Sequence, residues 1–256
     1  MITLSIVSHR QASLVAALLD DLARIASSKV ASIVITHNVP EPIPAWPASL
    51  SDRITTIVNP TPAGFGANHN AAFRRCTTPF FVVMNPDLHL IDDPFDALVA
   101  LFEAPPADAS ASATHGLGMA APYIVTADGK PEDFTRRLMT PVDVVRRRLA
   151  PTARAPSLLP HWLAGMFLFV SSAAFRAVDG FDERFFMYCE DFDLCARMRL
   201  DGWDFAVVPG TPVVHAAQRA SHRSRRHLYW HLSSLLKMWA SSTFWRYRSL
   251  LRAERN

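Results

Sequence analysis

Short apolar runs alternate with amphipathic stretches through the first third of the chain, and the hydrophobic period switches between about 2 and about 3.6 residues as they do. Thr3–Ser8 (T-L-S-I-V-S) reads as a core strand, and Leu14, Leu18, Leu22 and Ile25 then recur at helical spacing within Ser13–Ala26. Ser32–Thr36 and Ile54–Val58 read as second and third strands. The glycine-bearing turn Ala63–Gly66 opens a helix through Phe73, and Phe80–Met84 (F-F-V-V-M) is a fourth strand ending at Asn85-Pro86-Asp87. Strands alternating with helices predict a mostly parallel sheet with a nucleotide-sized crevice at the strand carboxyl ends, a Rossmann-like α/β fold.

Pro105–Ala113 is a low-complexity loop of small residues, and Asp128-Gly129 marks a turn. Arg136, Arg137 and Arg146–Arg148 fall in an insertion between that turn and Pro151. Trp162–Phe175 is uncharged but shorter than the roughly 20 residues a bilayer needs, so it predicts a buried strand, turn and helix. Farther on, Leu228, Leu232, Leu235, Leu236 and Trp239 follow helical spacing and predict a helix with one apolar face. The pattern divides the chain into a body, residues 1–218, and a helical tail, 219–256.

Composition sharpens that division. Half of the 256 residues are hydrophobic and the net charge is only +3. Yet nine of the 26 Lys/Arg and one of the 23 acids lie in the tail, which therefore carries +8 against −5 for the body. A basic tail on a mildly acidic body points to an anionic partner or surface. Interleaved Trp230, Trp245 and Tyr247 suit a helix lying on anionic lipid, and no nucleic-acid-binding motif accompanies them. Cys76, Cys189 and Cys195 show no C-x-x-C spacing, and the start M-I-T-L-S-I-V-S lacks a basic leader and cleavage site, so a reduced cytoplasmic setting is expected.

Acids inside an apolar run are unusual, and Val178–Arg199 (V-D-G-F-D-E-R-F-F-M-Y-C-E-D-F-D-L-C-A-R-M-R) holds six among aromatics. From Glu190 the pattern turns helical, with Asp191, Leu194, Cys195 and Met198 on one face and Gly202 as the stop. Glu190 and Asp191 thus occupy a helix's first turn, where backbone N–H groups would orient a carboxylate and keep it ionised. Asp87 ends the strand F-F-V-V-M, and His215 ends another apolar run.

The string G-F-D-E-R-F-F-M-Y-C-E-D-F-D-L-C-A-R-M-R-L-D-G-W resembles the carboxy-terminal signature of family-two inverting glycosyltransferases, especially their rhamnosyltransferase-like branch, and further matches follow in order along the chain. The resemblance implies a glycosyltransferase-A fold with Asp191 as catalytic base and Glu190 beside it, orienting the acceptor or Asp191. It places Asp87, in N-P-D, at the metal position, with His215 completing the Mg²⁺ or Mn²⁺ site and Asn85 near the ribose or diphosphate. Ser8 and His9 fall where the family contacts the nucleotide base, and Asn38 follows at the end of the second strand. N-P-T-P-A-G-F-G-A-N-H-N matches the family's glycine-and-asparagine element, giving Gly64, Gly66 and Asn70 as nucleotide-sugar contacts. Trp162 and Gly165 would shape the sugar and acceptor pockets.

Three departures stand out. His69 replaces a family asparagine, Ala72 a glycine, and His37 sits where relatives carry the acid that holds the base, leaving a thymidine- as well as a uridine-diphosphate donor open. The expected reaction is sugar transfer, with rhamnose favoured, from a dTDP- or UDP-linked donor to a glycan or polyprenyl-diphosphate-linked acceptor in cell-surface polysaccharide synthesis. The rivals are a nucleotidyltransferase, for which S-I-V-S-H-R-Q offers only Arg10 as a phosphate-loop cation, and a catalytically silent binding module with a basic tail for membrane or nucleic acid.

Overall fold

The computed structural model describes residues 1–103, 114–144, 160–216 and 225–254. The Pro105–Ala113 loop, Arg146–Arg148 and the 218/219 boundary lie outside the described residues. In chain order the elements are β1 (Ile2–Ser8), α1 (Ala12–Ile25), β2 (Val30–His37), β3 (Ile54–Val58), α2 (Phe65–Phe73), β4 (Phe80–Met84), β5 (Leu88–Leu90) and α3 (Phe95–Glu103). They continue with β6 (Gly116–Thr126), β7 (Thr135–Arg136), β8 (Trp162–Leu163), β9 (Phe167–Ser171), α4 (Ser172–Ala177), α5 (Glu190–Leu200), β10 (Trp203–His215), α6 (Arg225–Ala240) and α7 (Ser242–Ala253).

Eight strands form one sheet in the order β3-β2-β1-β4-β9-β6-β10-β5. β1, β2, β3 and β4 pair in parallel, as do β6 and β10. β9 runs antiparallel between β4 and β6, and β5 antiparallel to β10. The sheet is therefore mostly parallel, as expected, but mixed. Central strands covered on both faces read as continuous apolar runs, as β4 does, while β1 buries Thr3, Ser5 and Ser8 between its apolar positions. The order reverses between β1 and β4, so Ser8 and Asn85 end neighbouring strands at the switch point where such sheets bind ligands.

The region Trp162–Phe175 forms strand, turn and helix as its pattern predicts. Ser171 ends β9 and caps α4 by accepting a hydrogen bond from the Ala174 N–H. The tail differs from its expected form in two ways. It is two helices broken at Ser241, whose hydroxyl caps α7. Nor do the five predicted apolar positions of α6 share one environment: Leu235 and Trp239 pack against the core, while Leu228, Leu232 and Leu236 are exposed. α7 packs on α5, burying Phe244 and Tyr247 against Phe192. Arg199, buried, bridges Asp204 and Glu254, and the Tyr247 hydroxyl donates to the His161 carbonyl.

Candidate active site

The acidic stretch folds as a loop, residues 178–189, that delivers α5. Tyr188 and Cys189 both take left-handed backbone conformations (φ 73° and 66°), which for non-glycine residues store strain. That turn sends Glu190 and Asp191 into the first turn of α5, while Arg197 and Arg199 occupy its last, matching the helix dipole at both ends.

Asp191 Oδ2 accepts from the Gly165 N–H at 3.0 Å and Oδ1 from the Phe192 N–H at 2.8 Å. These bonds orient it. Burial pushes its carboxyl above the usual range, against the pull of the Arg136 guanidinium and the two N–H groups. Glu190 is buried beside it with Oε2 unpartnered, and burial together with the Asp191 charge pushes it well up. A base whose affinity for protons is raised towards neutrality is better matched to proton abstraction.

Gly165 is where the strand end meets this pair. A Cβ there would stand 3.3 Å from the Phe65 ring and 3.6 Å from the Asp191 Cβ. Trp162 is buried, edge-on to Phe192, with the Arg136 guanidinium 5.0 Å above its ring. Arg136, read from the sequence as part of an insertion, instead belongs to β7, directly opposite Trp162 of β8.

A chain of hydrogen bonds links this pair to the second cluster. Gly165 holds Asp191, and the next residue, Met166, accepts from the Asn85 N–H at 2.9 Å. Two residues on, Asp87 Oδ2 lies 3.4 Å from His215 Nε2, and the Asp87 carbonyl accepts from the Ala216 N–H. The sequence separates Asp87 and His215 widely, and the β5–β10 pairing brings them together. Glu132, which no sequence signal marked, approaches His215 Nδ1 at 3.4 Å. Burial pulls the His215 imidazolium down, but Asp87 and Glu132 outweigh it and raise it. Asp87 Oδ1 is buried without a hydrogen-bond partner. A hard cation is the natural occupant for such an oxygen. Among the described residues no three His, Cys, Asp or Glu side chains form a cage on their own.

The glycine and asparagine residues act first as a clamp. Asn38 donates to the Ala63 carbonyl and accepts from the Ala63 N–H and from Asn59. A Cβ on Gly64 would stand 2.8 Å from the Phe186 carbonyl oxygen, and one on Gly66 2.6 Å from the Phe181 Cβ. The close approach these glycines permit is thus made by the 178–189 loop, and the Phe65 N–H donates to the Phe186 carbonyl. Asn70 accepts from the Phe181 N–H and donates to the Phe181 carbonyl and to Glu183. His69 bonds Ser5, and burial holds its pKa down at about 3, a neutral core histidine.

At the β1 and β2 ends, Ser8 is buried and accepts from the Gln11 N–H, while His9 is exposed. His37 is buried and reaches Glu41 at 2.8 Å, so a carboxylate stands by the end of β2, supplied from four residues farther along.

A family profile described as "Glycosyltransferase like family 2" matches residues 2–230. The chain belongs to glycosyltransferase family 2. Over 81 residues it is 40% identical to rhamnosyltransferase WbbL of Escherichia coli K12, a stretch covering 30% of this chain and 29% of that protein. Over 88 residues it is 40% identical to the N-acetylglucosaminyl-diphospho-decaprenol L-rhamnosyltransferase of Mycobacterium tuberculosis, covering 32% and 27%. The matched stretch therefore spans under a third of each relative's length. Among solved structures, the Pyrobaculum calidifontis mannosyltransferase PcManGT, in complex with GDP-Man and Mn²⁺, superposes with a TM-score of 0.58 at 14% identity over 92% of this chain and 63% of that one. S. aureus TarS with UDP-GlcNAc gives 0.61 at 12% identity, over 94% and 67%. Identities this low speak for the fold, which is the glycosyltransferase-A fold expected from the sequence.

Proposed function

We propose that this family 2 chain is an inverting, metal-dependent glycosyltransferase. It would move a sugar, rhamnose foremost, from a dTDP- or UDP-linked donor to a glycan or polyprenyl-diphosphate-linked acceptor at the cytoplasmic face of a membrane, in cell-surface polysaccharide synthesis. The observation that carries this reading is the hydrogen-bonded path from Asp191 through Gly165, Met166 and Asn85 to Asp87 and His215. It fixes a proton acceptor and a cation-binding carboxylate relative to each other across one strand end. The branch-level preference for rhamnose rests on the two rhamnosyltransferase relatives.

Asp191 takes the acceptor hydroxyl proton as that oxygen attacks the anomeric carbon on the face opposite the leaving diphosphate. Gly165 holds Asp191 in position, and Glu190, buried beside it, orients the acceptor or Asp191. Asp87 and His215 would hold Mg²⁺ or Mn²⁺, which when bound supplies charge neutralisation for the departing diphosphate.

The test is nucleoside-diphosphate release from a panel of sugar nucleotides, with and without chelator. Asp191→Asn is expected to lower turnover by roughly two to four orders of magnitude while donor binding changes little. Near-normal turnover in that variant, or full activity in excess chelator, would sink the mechanism.

A further inference from the structure

We propose that the outward face of α6 is a docking surface for an anionic lipid bilayer, which deepens the functional reading above by naming the surface on which a lipid-linked acceptor is met. Leu228, Tyr229, Leu232 and Leu236 are 57%, 69%, 51% and 66% exposed. At i, i+1, i+4 and i+8 they form one continuous stripe along the helix. A row of three leucines and a tyrosine in water is costly unless something covers it.

The opposite face explains why the helix cannot roll over to bury them. Ser234 donates to the Met187 carbonyl at 2.8 Å, His227 Nδ1 meets the Tyr188 hydroxyl at 2.8 Å, and Trp230 packs on Phe186. Lys237 donates to the Arg184 carbonyl. The catalytic loop therefore fixes which side of α6 looks outward.

Charge selects the occupant. Residues 219–256 carry nine Lys/Arg and a single acid, Glu254, which is already engaged by Arg199. Arg226, exposed with its guanidinium over the Trp230 ring, stands at the start of the stripe two residues before Leu228. On α7, Trp245 is also exposed, its indole N–H tied to the Trp239 carbonyl at the end of α6, with Arg248 stacked on its ring. A second copy of the chain would bring like charge against like charge. Nucleic acid would satisfy the arginines but leave the leucines bare. Anionic lipid answers both, because headgroups meet the cations and the acyl boundary takes the leucines. Docked this way, the catalytic loop stands about one helix diameter, ~10 Å, from the membrane surface.

The experiment is flotation of the full chain with phosphatidylcholine vesicles and with phosphatidylcholine/phosphatidylglycerol vesicles, at low and high salt. The chain is expected to float with the anionic vesicles, less so at high salt. The double variant Leu232→Glu/Leu236→Glu changes only exposed side chains. Its thermal unfolding and its diphosphate release with a soluble acceptor should stay at the parent values, while its vesicle partitioning falls by about 100-fold or more. Because release is read without vesicles, a failed transferase reading and a failed docking reading give different patterns. Absent flotation, equal recovery on neutral vesicles, or self-association in sedimentation that the double variant abolishes would overturn the proposal.

Discussion

Glu190 and Asp191 lie side by side with little water, and two adjacent carboxylates in that setting bind protons more tightly than free ones. Both are displaced upward, so the folded chain holds more protons than the unfolded chain once pH rises above the ordinary carboxylate range. Their contribution to stability is therefore lost, not gained, as pH climbs from there through their raised values. For activity the sign is reversed, since the base works only when ionised: the acid limb of the kcat profile should sit above the ordinary carboxylate range. Glu190→Gln removes the carboxyl that burial and the Asp191 charge push well up. It should raise Tm at neutral pH and leave that limb in place, read by calorimetry and by pH-dependent diphosphate release. A limb at the ordinary carboxylate range would mean that Asp191 does not limit turnover. A second residue-scale expectation concerns Glu132, whose carboxylate approaches the ring nitrogen of His215 that faces away from Asp87. Such partners fix the tautomer and orientation of a ligating imidazole, so Glu132→Gln should weaken Mn²⁺ binding by about 10- to 100-fold in titration calorimetry. Asp191, Asp87 and His215 were legible in the sequence because each ends an apolar run or opens a helix. Glu132 and Arg136 were not, because their partners come from strand pairings that no local pattern encodes.

Among the elements, the turn before α2 and the loop before α5 form one unit. Gly64 sits against backbone of that loop, not against a side chain that could swing away. Gly64→Ala should therefore displace the 185–186 segment, costing about 1–3 kcal/mol of stability. Turnover should fall with it, because the same loop presents Asp191; denaturant unfolding and release assays would show both losses. A variant with full stability and activity would mean the loop yields freely. Local pattern located these elements well: β3 and β4 run as read from the sequence, and α2 ends at Phe73 as expected. For α6 it gave the helical spacing but not the division of its apolar positions, of which Leu235 and Trp239 pack on the core while Leu228, Leu232 and Leu236 are exposed. Periodicity reports that a helix has an apolar side but not which side its neighbours cover, and here hydrogen bonds from Ser234 and Lys237 decide.

For the molecule as a whole, sheet order was the least legible feature. β9 looked like an ordinary buried strand, and nothing in F-L-F-V-S says that it inserts antiparallel between β4 and β6. The tail likewise is no mere appendage, since α7 buries Tyr247 and Phe244 on the helix that bears Glu190 and Asp191. The pairing of Asp87 with His215 has a consequence for synthesis. A ribosome adding roughly 5–20 residues per second needs several seconds to a few tens of seconds to travel from one to the other. Until Phe167–Ser171 is made the amino-terminal strands can assemble while β4 lacks β9 along its free edge, and throughout the interval the carboxylate beyond its end lacks the imidazole. The nascent protein would thus have a half-built sheet with an unpaired edge but no working centre, and competence would arrive late, with the last strand.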